Sequence, residues 1–443
     1  MSHSSGHHHS SRRPAPKASH TALPCLAVLP FRDQTLDRRE SHLCEGLAEQ
    51  LLHALNRAEG LRVLSRTSTF PFLDSGLPAA ELGRRLGADH LLQGTLKETA
   101  DGHRLSLELV TTGTGLVERT LERPLDRTDL CGLLQDLASE MADALGVPTP
   151  SVPCHTTHMD AFEAYLKGRQ AYFRFNRLGM IEASGHFQKA LAMDPQCALA
   201  WSGLALVAAY LFIYVERKDS HRELAEQASL KALALDDSLA EAHVSRGVAL
   251  AAAGQPDAAD QAFEAALQRD PDLFEAYYFY ARHAFATGRP MEAIQYFEWA
   301  SALRPEDYQA PLIVTQAYVC LGIHDEADAS RQKGLERVEA QLARQPDDAR
   351  AWYMGANALV GLRQREKGLE WARKARSLDP DDSMLLYNLA CIHALADDPD
   401  EALTCLEQAV ARGLTEKAWI LNDGDLAPLH PHPRFQQLVQ TLG

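Results

Sequence analysis

Eight residues at two positions of a repeated sequence pattern have side chains suited to recognition chemistry. One position holds tyrosine and the other, four residues later, holds arginine, glutamine or asparagine, so both positions lie on one face of a helix. Tyrosine offers a large apolar surface with a hydroxyl group at its tip. Arginine and asparagine donate directional hydrogen bonds to a carboxylate or a peptide backbone. The pattern favours a peptide-binding surface, and its residues are Tyr165, Arg169, Tyr278, Arg282, Gln316, Tyr353, Asn357 and Tyr387. The alternative is that the tyrosines only pack between adjacent helices.

Sequence motifs of catalysis are absent. The chain has no phosphate-binding GxxxxGK[ST] loop, no strand-linked GxGxxG, no HExxH zinc motif and no GxSxG nucleophile turn. We therefore expect a protein that is not an enzyme and that uses no cofactor.

Histidines and cysteines do not form a recognisable metal site in the sequence. The run His7–His9 has no cysteine or carboxylate beside it, and His430 and His432 alternate with prolines that account for them. The chain has eight cysteines and no CxxC pair. Reduced, buried thiols are the expectation, in preference to a disulfide framework or a metal site.

The elements that must position the eight side chains are helical hairpins. Two consecutive copies of one pattern lie between Ala242 and Pro305, at a spacing of 34 residues. Small residues let neighbouring helices approach closely, and proline ends the second helix of each copy. One copy cannot bury its own apolar face, so the copies must stack. The matching residues are Gly247, Ala259, Phe263, Ala266 and Pro271, then Ala281, Ala293, Phe297, Ala300 and Pro305.

These residues resemble the tetratricopeptide (TPR) motif. The small residue found at Ala266 and Ala300 recurs along the chain with gaps of 42, 34, 34, 34, 41 and 34 residues, which predicts about seven repeats over residues 159–413. The residues at this position are Ala190, Ala232, Ala266, Ala300, Gly334, Ala375 and Ala409. The two long gaps exceed the period by about two helical turns, so we expect longer helices with the same buried face. The resemblance implies a superhelix with a concave groove that the eight residues line. The lysine-asparagine clamp of some family members is not reproduced, which argues against a chaperone-tail ligand.

The residues before the repeats predict a tail and a small domain. Residues 1–21 are rich in serine, histidine and arginine and are expected to be disordered. Residues 22–147 predict the order β-α-β-α-β-β-β-α. Leu26–Phe31 is a short apolar run typical of a buried strand, and the leucines of Leu43–Leu55 recur every four residues as in an amphipathic helix. The predicted fold class is α+β, mostly α: a small α/β domain followed by an α-solenoid.

Four stretches of the small domain carry a second resemblance. LAVLPFRD, GLAEQLLHAL, LRVLSRTSTF and GADHLLQGTL follow one another in this order. They resemble the TolB amino-terminal-like (FlgO-like) domain that precedes TPR arrays in bacterial signalling proteins. Relatives place this pair behind an adenylate or guanylate cyclase, a protein kinase or a winged-helix DNA-binding domain. None of these is expected here, because the 21-residue tail is too short to contain one.

Shorter segments flank the repeats. Residues 148–158 contain three prolines and predict a semi-stiff linker. Residues 414–443 depart from the repeat pattern and predict a cap. Its last helix has an apolar side, made of Phe435, Leu438 and Leu442, that can seal the final repeat.

The net charge of −16 restricts the class of partner. Residues 151–443 carry 28 Lys and Arg against 41 Asp and Glu, so the repeats should repel phosphate backbones and anionic membranes. We expect a protein or peptide partner, with a basic segment as the natural ligand, and no nucleic acid. No run of 18 apolar residues and no signal peptide is present, which predicts a cytoplasmic protein without membrane insertion.

Two hypotheses of function result, the first from the repeats and the absence of catalytic motifs and the second implied by the domain arrangement of the relatives that the α/β domain resembles. The first is a non-enzymatic scaffold or adaptor in bacterial signalling that binds a partner in the groove of the repeats. The second is a ligand-sensing regulatory subunit whose α/β domain binds a small molecule. Its TPR array would report the ligand to a separate cyclase, kinase or transcription factor.

Overall fold

The structure combines a small mixed β-sheet with a long series of paired helices, which confirms the predicted fold class. The predicted tail, residues 1–21, lies outside the part of the chain that is described. The computed structural model describes residues 23–64, 69–72, 75–100, 102–125, 129–152, 156, 158–215, 217–414 and 417–442.

The sheet of the N-terminal domain is organised around the strand β4, which pairs with β1, β2 and β5. Its strands are β1 (Cys25–Val28), β2 (Arg32–Gln34), β3 (Arg62–Val63), β4 (His90–Thr99), β5 (Gly102–Thr111) and β6 (Leu116–Pro124). The spatial order is β3-β1-β4-β5-β6, and β2 pairs with the second half of β4. The pairs of β1 with β3 and of β1 with β4 are parallel, whereas β4, β5 and β6 form an antiparallel meander.

Helices cover both faces of this sheet. They are α1 (Ser41–Leu55), α2 (Ala79–Leu86) and α3 (Leu130–Leu145). Leu26 and Val28 pack with the leucines of α1 and α3, while Cys25 and Ala27 pack with Leu82 of α2. Because alternate side chains of β1 are buried on opposite faces, this strand reads as a continuous apolar run.

The remaining helices form seven consecutive pairs within the described residues, joined by short turns. They are α4 (Met159–Tyr172) and α5 (Arg177–Met193); α6 (Ala198–Tyr210) and α7 (Asp219–Leu235); α8 (Ala240–Ala252) and α9 (Pro256–Arg269); α10 (Phe274–Ala286) and α11 (Pro290–Leu303); α12 (Gln309–Cys320) and α13 (His324–Arg344); α14 (Ala349–Gly361) and α15 (Arg365–Leu378); and α16 (Ser383–Leu395) and α17 (Pro399–Ala411).

Small residues on the first helices are required by phenylalanines on the second. A Cβ atom on Gly203 would lie 2.5 Å from the ring of Phe187, and one on Gly247 would lie 2.7 Å from the ring of Phe263. Both distances are shorter than van der Waals contact, so no larger residue fits without a shift. The close approach predicted from the repeat pattern is therefore present, and the phenylalanines fill the space between the helices.

The two long gaps in the repeat pattern have different structures. In repeat five the extra residues lengthen α13 to 21 residues, and Leu335, Val338 and Leu342 are buried along it, as predicted. In repeat two α6 continues into a π-helical turn, Leu211–Val215, which is not an extension of a regular helix. The helical segment of repeat two is nevertheless longer, as expected, because it runs from Ala198 to Val215 with a π-helical last turn.

The α/β domain packs directly on repeat one. Gly46 of α1 lies against the side chain of Leu166 on α4, so closely that a Cβ atom would overlap it. Buried residues of both regions form one continuous apolar cluster that reaches into repeats two and three. The two regions therefore share a core, and their relative orientation is set by packing.

The last pair of helices is covered by a short terminal segment. It consists of α18 (Lys417–Asn422), a 3₁₀ helix over Gly424–Leu429 and α19 (Pro433–Thr441). Phe435 and Leu442 are buried among apolar residues of α16 and α17. This segment seals the exposed end of the array, which is the capping role that a repeat array needs.

One helical segment has the length and composition of a membrane span. It is Ala198–Val215, interrupted by Ser202 and Gly203, and 72% of it is buried inside the structure. A buried helix of repeat two accounts for its apolar character, so it is weak evidence for a membrane.

Free thiols predominate among the described cysteines. Six are free, and Cys320 is the exposed one among them. Burial raises the pKa of the Cys44 thiol to about 12, with a further contribution from Asp33. The expectation of reduced thiols is wrong for Cys131, which is disulfide-bonded. Cys154 lies outside the described residues.

Candidate functional site

The eight predicted recognition residues lie on the first helices of their repeats but differ in accessibility. Tyr165, Tyr278 and Tyr387 are buried, whereas Gln316 is exposed. The others are half-buried, and they are Arg169, Arg282, Tyr353 and Asn357. Much of the predicted groove is thus occupied by the chain itself.

A loop of repeat one fills the centre of the superhelix. Phe175 lies between α4 and α5, is 5% exposed, and adopts the left-handed backbone conformation with φ of 47°. Its ring centroid is 6.0 Å from that of Tyr210 and 6.3 Å from that of Tyr278. The guanidinium group of Arg350 lies 5.0 Å from the same centroid. The loop therefore connects repeats one, two, four and six.

Hydrogen bonds fix this loop to the distant repeats. The backbone oxygen of Phe175 accepts from the Tyr210 hydroxyl at 2.7 Å and from Arg350 Nη1 at 3.4 Å. Arg350 also donates to the Tyr353 hydroxyl at 2.9 Å and to Gln309 Oε1 at 3.1 Å. Because the loop backbone is buried, these donors satisfy a carbonyl that would otherwise lack a partner.

The π-helical turn of repeat two enters the same interior. It carries Tyr214 to repeat four, where Arg282 donates to the Tyr214 hydroxyl and lies 4.6 Å from the ring centroid. Arg282 also donates to the Tyr278 hydroxyl at 3.3 Å, and Tyr278 donates to Gln309 at 3.2 Å. Three predicted recognition residues, Tyr278, Arg282 and Tyr353, are thus members of one internal network.

In repeat one the predicted pair contacts the α/β domain. Arg169 donates to both carboxylate oxygens of Glu49 on α1, at 3.1 and 3.4 Å. The side chains are 23% and 11% exposed, so this ion pair is largely shielded from water. Burial raises the pKa of the neighbouring Tyr165 hydroxyl. This end of the groove is closed by the domain.

At the other end the terminal segment supplies partners. The Tyr387 hydroxyl donates to the carboxylate of Asp423, and the Asn357 side chain hydrogen-bonds to Asp425. Burial and the charge of Asp423 raise the pKa of Asp425 to about 6, although Asn357 and Arg331 oppose the shift. Asp425 is therefore an ionisable group beside Asn357, at this end of the predicted groove.

The raised pKa predicts a pH-dependent contribution of Asp425 to stability. A carboxyl group whose pKa is higher in the folded state binds extra protons there, so its contribution is present below about pH 4 and is lost as the pH rises through about 6. Asp425→Asn should raise the free energy of unfolding by about 2 kcal/mol at pH 7, with little change at pH 4. Urea unfolding at both pH values measures this difference.

A matched carboxylate provides the control for this comparison. Asp347 is exposed in the turn before α14, so Asp347→Asn should change stability by less than about 0.5 kcal/mol at either pH. An equal effect of Asp425→Asn at pH 4 and pH 7 would contradict the assignment.

A cavity of about 140 Å³ remains at the junction of the α/β domain and the repeats. Glu49 and His53 of α1 line it on one side, and side chains of repeats one to four line it on the other. Arg304 beside it donates to Glu275 at 3.0 Å. Burial alone would raise the pKa of Glu275, but the charges of Arg304 and Arg169 outweigh burial and hold it below its usual value.

Sequence patterns did not indicate the most connected members of this interior. Gln309 and Arg350 hold the network together, yet they fall outside the two positions of the repeat that were singled out. One signal was present: the turn between the helices of repeat one contains Phe175 and the long gap of repeat two contains Tyr214, and aromatic residues at such places are candidates for burial.

Potential metal ligands occur in three groups within the described residues, and each contains a carboxylate. One of them joins His393, Glu401 and Cys405. Glu401 is already bound to Arg376 at 2.5 Å, and His393 faces Asp398 at 3.0 Å. These partners satisfy the group without an ion.

Two protein-family models match this chain. Residues 22–122 match the second domain of HilA/YgeH-like transcriptional regulators, and residues 250–312 match the tetratricopeptide repeat. The second match covers the two clearest copies of the sequence pattern. The chain therefore contains tetratricopeptide repeats, and the TolB-like assignment of its α/β domain stays a prediction.

A curated relative shares about half of the chain. It is a protein of Rhizobium meliloti described as putative adenylate cyclase 3, which is 26% identical over 239 residues. The match covers 52% of this chain and 40% of the relative. The chain thus spans less than half the length of that protein.

Solved structures with similar helical arrays include three that differ in origin. Pseudomonas aeruginosa PilF is 19% identical, with a TM-score of 0.35, over 53% of this chain and 96% of its own. A tetratricopeptide repeat protein of Parabacteroides merdae is 14% identical, with a TM-score of 0.36, over 58% of this chain and 96% of its own. Human IFIT1, solved as a dimer with PPP-AAAA, is 15% identical, with a TM-score of 0.39, over 63% of this chain and 78% of its own.

Proposed function

We propose that this chain is a non-enzymatic adaptor in bacterial signalling whose repeats bind a partner protein. The observation that carries the proposal is an accessible polar stretch on the inner helices of repeats five and six. Gln316 and Val319 are exposed on α12, and Asn357 is half-buried on α14. Here a partner segment can reach the Gln316 amide directly, and the Asn357 amide in competition with Asp425, without displacing the internal network.

The charge of the array supports a basic partner segment. Acidic residues outnumber basic ones in the repeats, and the accessible stretch adjoins Asp425. Electrostatic attraction would raise the rate of association and would weaken with salt. The same charge disfavours a nucleic-acid partner, because phosphate groups would be repelled.

A capture experiment with the full chain tests this proposal. Proteins retained from a bacterial lysate are identified, and the affinity of each purified candidate is then measured by calorimetry. The double variant Gln316→Ala and Asn357→Ala should weaken the specific partner about tenfold or more, since it removes two directional donors. Its melting temperature should fall only slightly, because the structural loss is limited to the side-chain hydrogen bond between Asn357 and Asp425.

Gln261→Ala is the matched control, because Gln261 is exposed on α9, a second helix of its repeat. It should leave the affinity unchanged. If the double variant binds every candidate as well as the control does, the groove assignment fails.

A second candidate function is a ligand-sensing regulator, and the junction cavity favours it. A ligand there would contact both the α/β domain and the repeats, so its binding could alter how the two pack. The matched model of a transcriptional-regulator domain and the relative described as a cyclase support a regulatory setting. For a regulator of this kind, binding of a ligand in the junction cavity should change the affinity of the full chain for its partner.

A further inference from the structure

The junction cavity has an unusual balance of charge. Five carboxylates line it, against two guanidinium groups; they are Glu49, Glu241, Asp270, Asp272 and Glu275, with Arg169 and Arg304. Both guanidinium groups are already bound to carboxylates, Arg169 to Glu49 and Arg304 to Glu275. The lining therefore has an excess of negative charge beside partly apolar walls.

Glu241 is a carboxylate of the lining that has no counter-ion among the described residues. Glu241 is the second residue of α8, and its side chain lines the cavity. The structure has no ion pair for it within the described residues. Burial raises its pKa, while His53 and Arg169 act in the opposite direction without forming a bond to it. A buried carboxylate is costly unless it finds a positive partner or takes up a proton.

A second polar group in the lining also lacks a partner. Ser202 of α6 is 2% exposed, and its hydroxyl oxygen has no hydrogen-bond partner. Buried hydroxyl groups are normally satisfied, so an unpartnered one on a residue that lines a cavity marks a polar group that a ligand or water there can satisfy. This observation is independent of the carboxylates, because Ser202 and Glu241 belong to different repeats.

Aromatic side chains form the rest of the wall. Five of them line the cavity, and they are Tyr165, Tyr172, Phe173, Phe187 and Phe274. The face of an aromatic ring attracts a cation, and the guanidinium group of Arg304 already lies 3.9 Å from the ring centroid of Phe274. Carboxylates and aromatic faces together are the lining that organic cations prefer in proteins.

We propose that the junction cavity binds a small organic cation with an ammonium or guanidinium group. The charged group pairs with Glu241, the Ser202 hydroxyl accepts a hydrogen bond from it, and its carbon chain packs on the aromatic wall. The volume of about 140 Å³ accommodates a chain of a few carbon atoms. This inference gives the second candidate function a site and a ligand class, but binding itself does not depend on that function.

The same chemistry has two sources, a free amine and the basic side chain of a partner. Calorimetry with the full chain separates them by using 1,4-diaminobutane as one probe and an acetylated, amidated Gly-Lys-Gly peptide as the other. Binding of the diamine assigns a free ligand. Binding of the peptide alone assigns a lysine side chain of a partner, and both results support the cation site. Succinate serves as an anion of similar length and should not bind.

Variants of the lining give the decisive comparison. Glu241→Gln should weaken binding of the cation about tenfold or more, because the neutral amide has no charge to pair with it. Ser202→Ala should weaken binding several-fold. Glu336→Gln, an exposed position on α13 outside the cavity, is the matched control and should have no effect.

Circular dichroism and the melting temperature are measured for each variant to show that it is folded. If Glu241→Gln does not fold, Ser202→Ala still tests the lining. The proposal is overturned if neither cation binds at millimolar concentration, if succinate binds equally well, or if both lining variants retain full affinity. None of these outcomes depends on whether a protein partner is captured through Gln316 and Asn357, so the adaptor function stands or fails separately.

Discussion

Phe175→Ala is expected to lower the free energy of unfolding by about 3 to 5 kcal/mol, the usual cost of removing a buried phenylalanine ring. Phe175 packs against Tyr210 and Tyr278 and beneath Arg350, so its removal leaves a cavity bordered by three repeats. The left-handed backbone conformation of residue 175 does not offset this loss of stability, because alanine, like phenylalanine, has a Cβ atom and is disfavoured there to the same extent. Urea unfolding followed by circular dichroism measures the change.

Leu178→Ala is the control for this prediction. Leu178 lies three residues away and is 63% exposed, so its loss should cost less than about 0.5 kcal/mol. A double-mutant cycle with Arg350→Met should add a coupling energy of about 0.5 to 3 kcal/mol, because the two side chains are in contact. A cost below 1 kcal/mol for Phe175→Ala, with no coupling, would show that the loop does not pack inside the superhelix.

Arg169→Met is expected to destabilise the junction of the α/β domain and the repeats by about 3 kcal/mol. The substitution keeps much of the apolar stem but removes the guanidinium group that lies against the largely shielded carboxylate of Glu49. Since the ion pair joins α1 to α4, the domain should also loosen from repeat one. Urea unfolding gives the energy, and faster proteolytic cleavage between the two regions reports the loosening.

The exposed ion pair of Arg174 and Glu182 provides a comparison within the same repeat. Its side chains are 48% and 47% exposed, so Arg174→Met should cost between 0 and about 1 kcal/mol. The double variant Arg169→Met and Glu49→Gln should recover part of the lost stability, because the shielded negative charge of Glu49 is then removed as well. Equal effects of Arg169→Met and Arg174→Met would mean that the first pair has no special role.

The paired helices could be predicted because each repeat solves the same local packing problem. A small residue such as Gly247 lies opposite an aromatic one such as Phe263 in several of the repeats, and this contact recurs at a fixed spacing. The order of helices and strands in the α/β domain follows from periodicity in the same way. The strand β2 was missed because it has three polar residues and follows a proline, so no pattern marks it.

The candidate site was harder to predict because its contacts are not local. Helical periodicity places Tyr278 and Arg282 on the inner face, as the structure has them, but it does not say what lies opposite. The occupants come from Phe175 and Tyr214, which belong to insertions outside the repeat pattern. Accessibility therefore depends on contacts between repeats that are distant in sequence, and of the eight predicted residues only Gln316 is exposed.

The cavity lining was not predicted for a different reason. Glu241 looks like an ordinary acidic residue in the first turn of a helix, where the helix dipole favours it. Ser202 looks like a small residue within an apolar helix. Their significance depends on the α/β domain closing over them, which no single segment of sequence reveals.

The loop of repeat one also has a consequence for how the chain folds. Stacked repeats usually have contacts only between neighbours, so folding can begin at any repeat and spread. Here a hydrogen bond joins residues 175 apart in sequence, and another joins the amide of Arg177 to Asp382, 205 residues away. Such contacts form only after the intervening repeats exist, since closing a long loop costs entropy. Closure should therefore be a late and slow step, after which the array unfolds as a single cooperative unit.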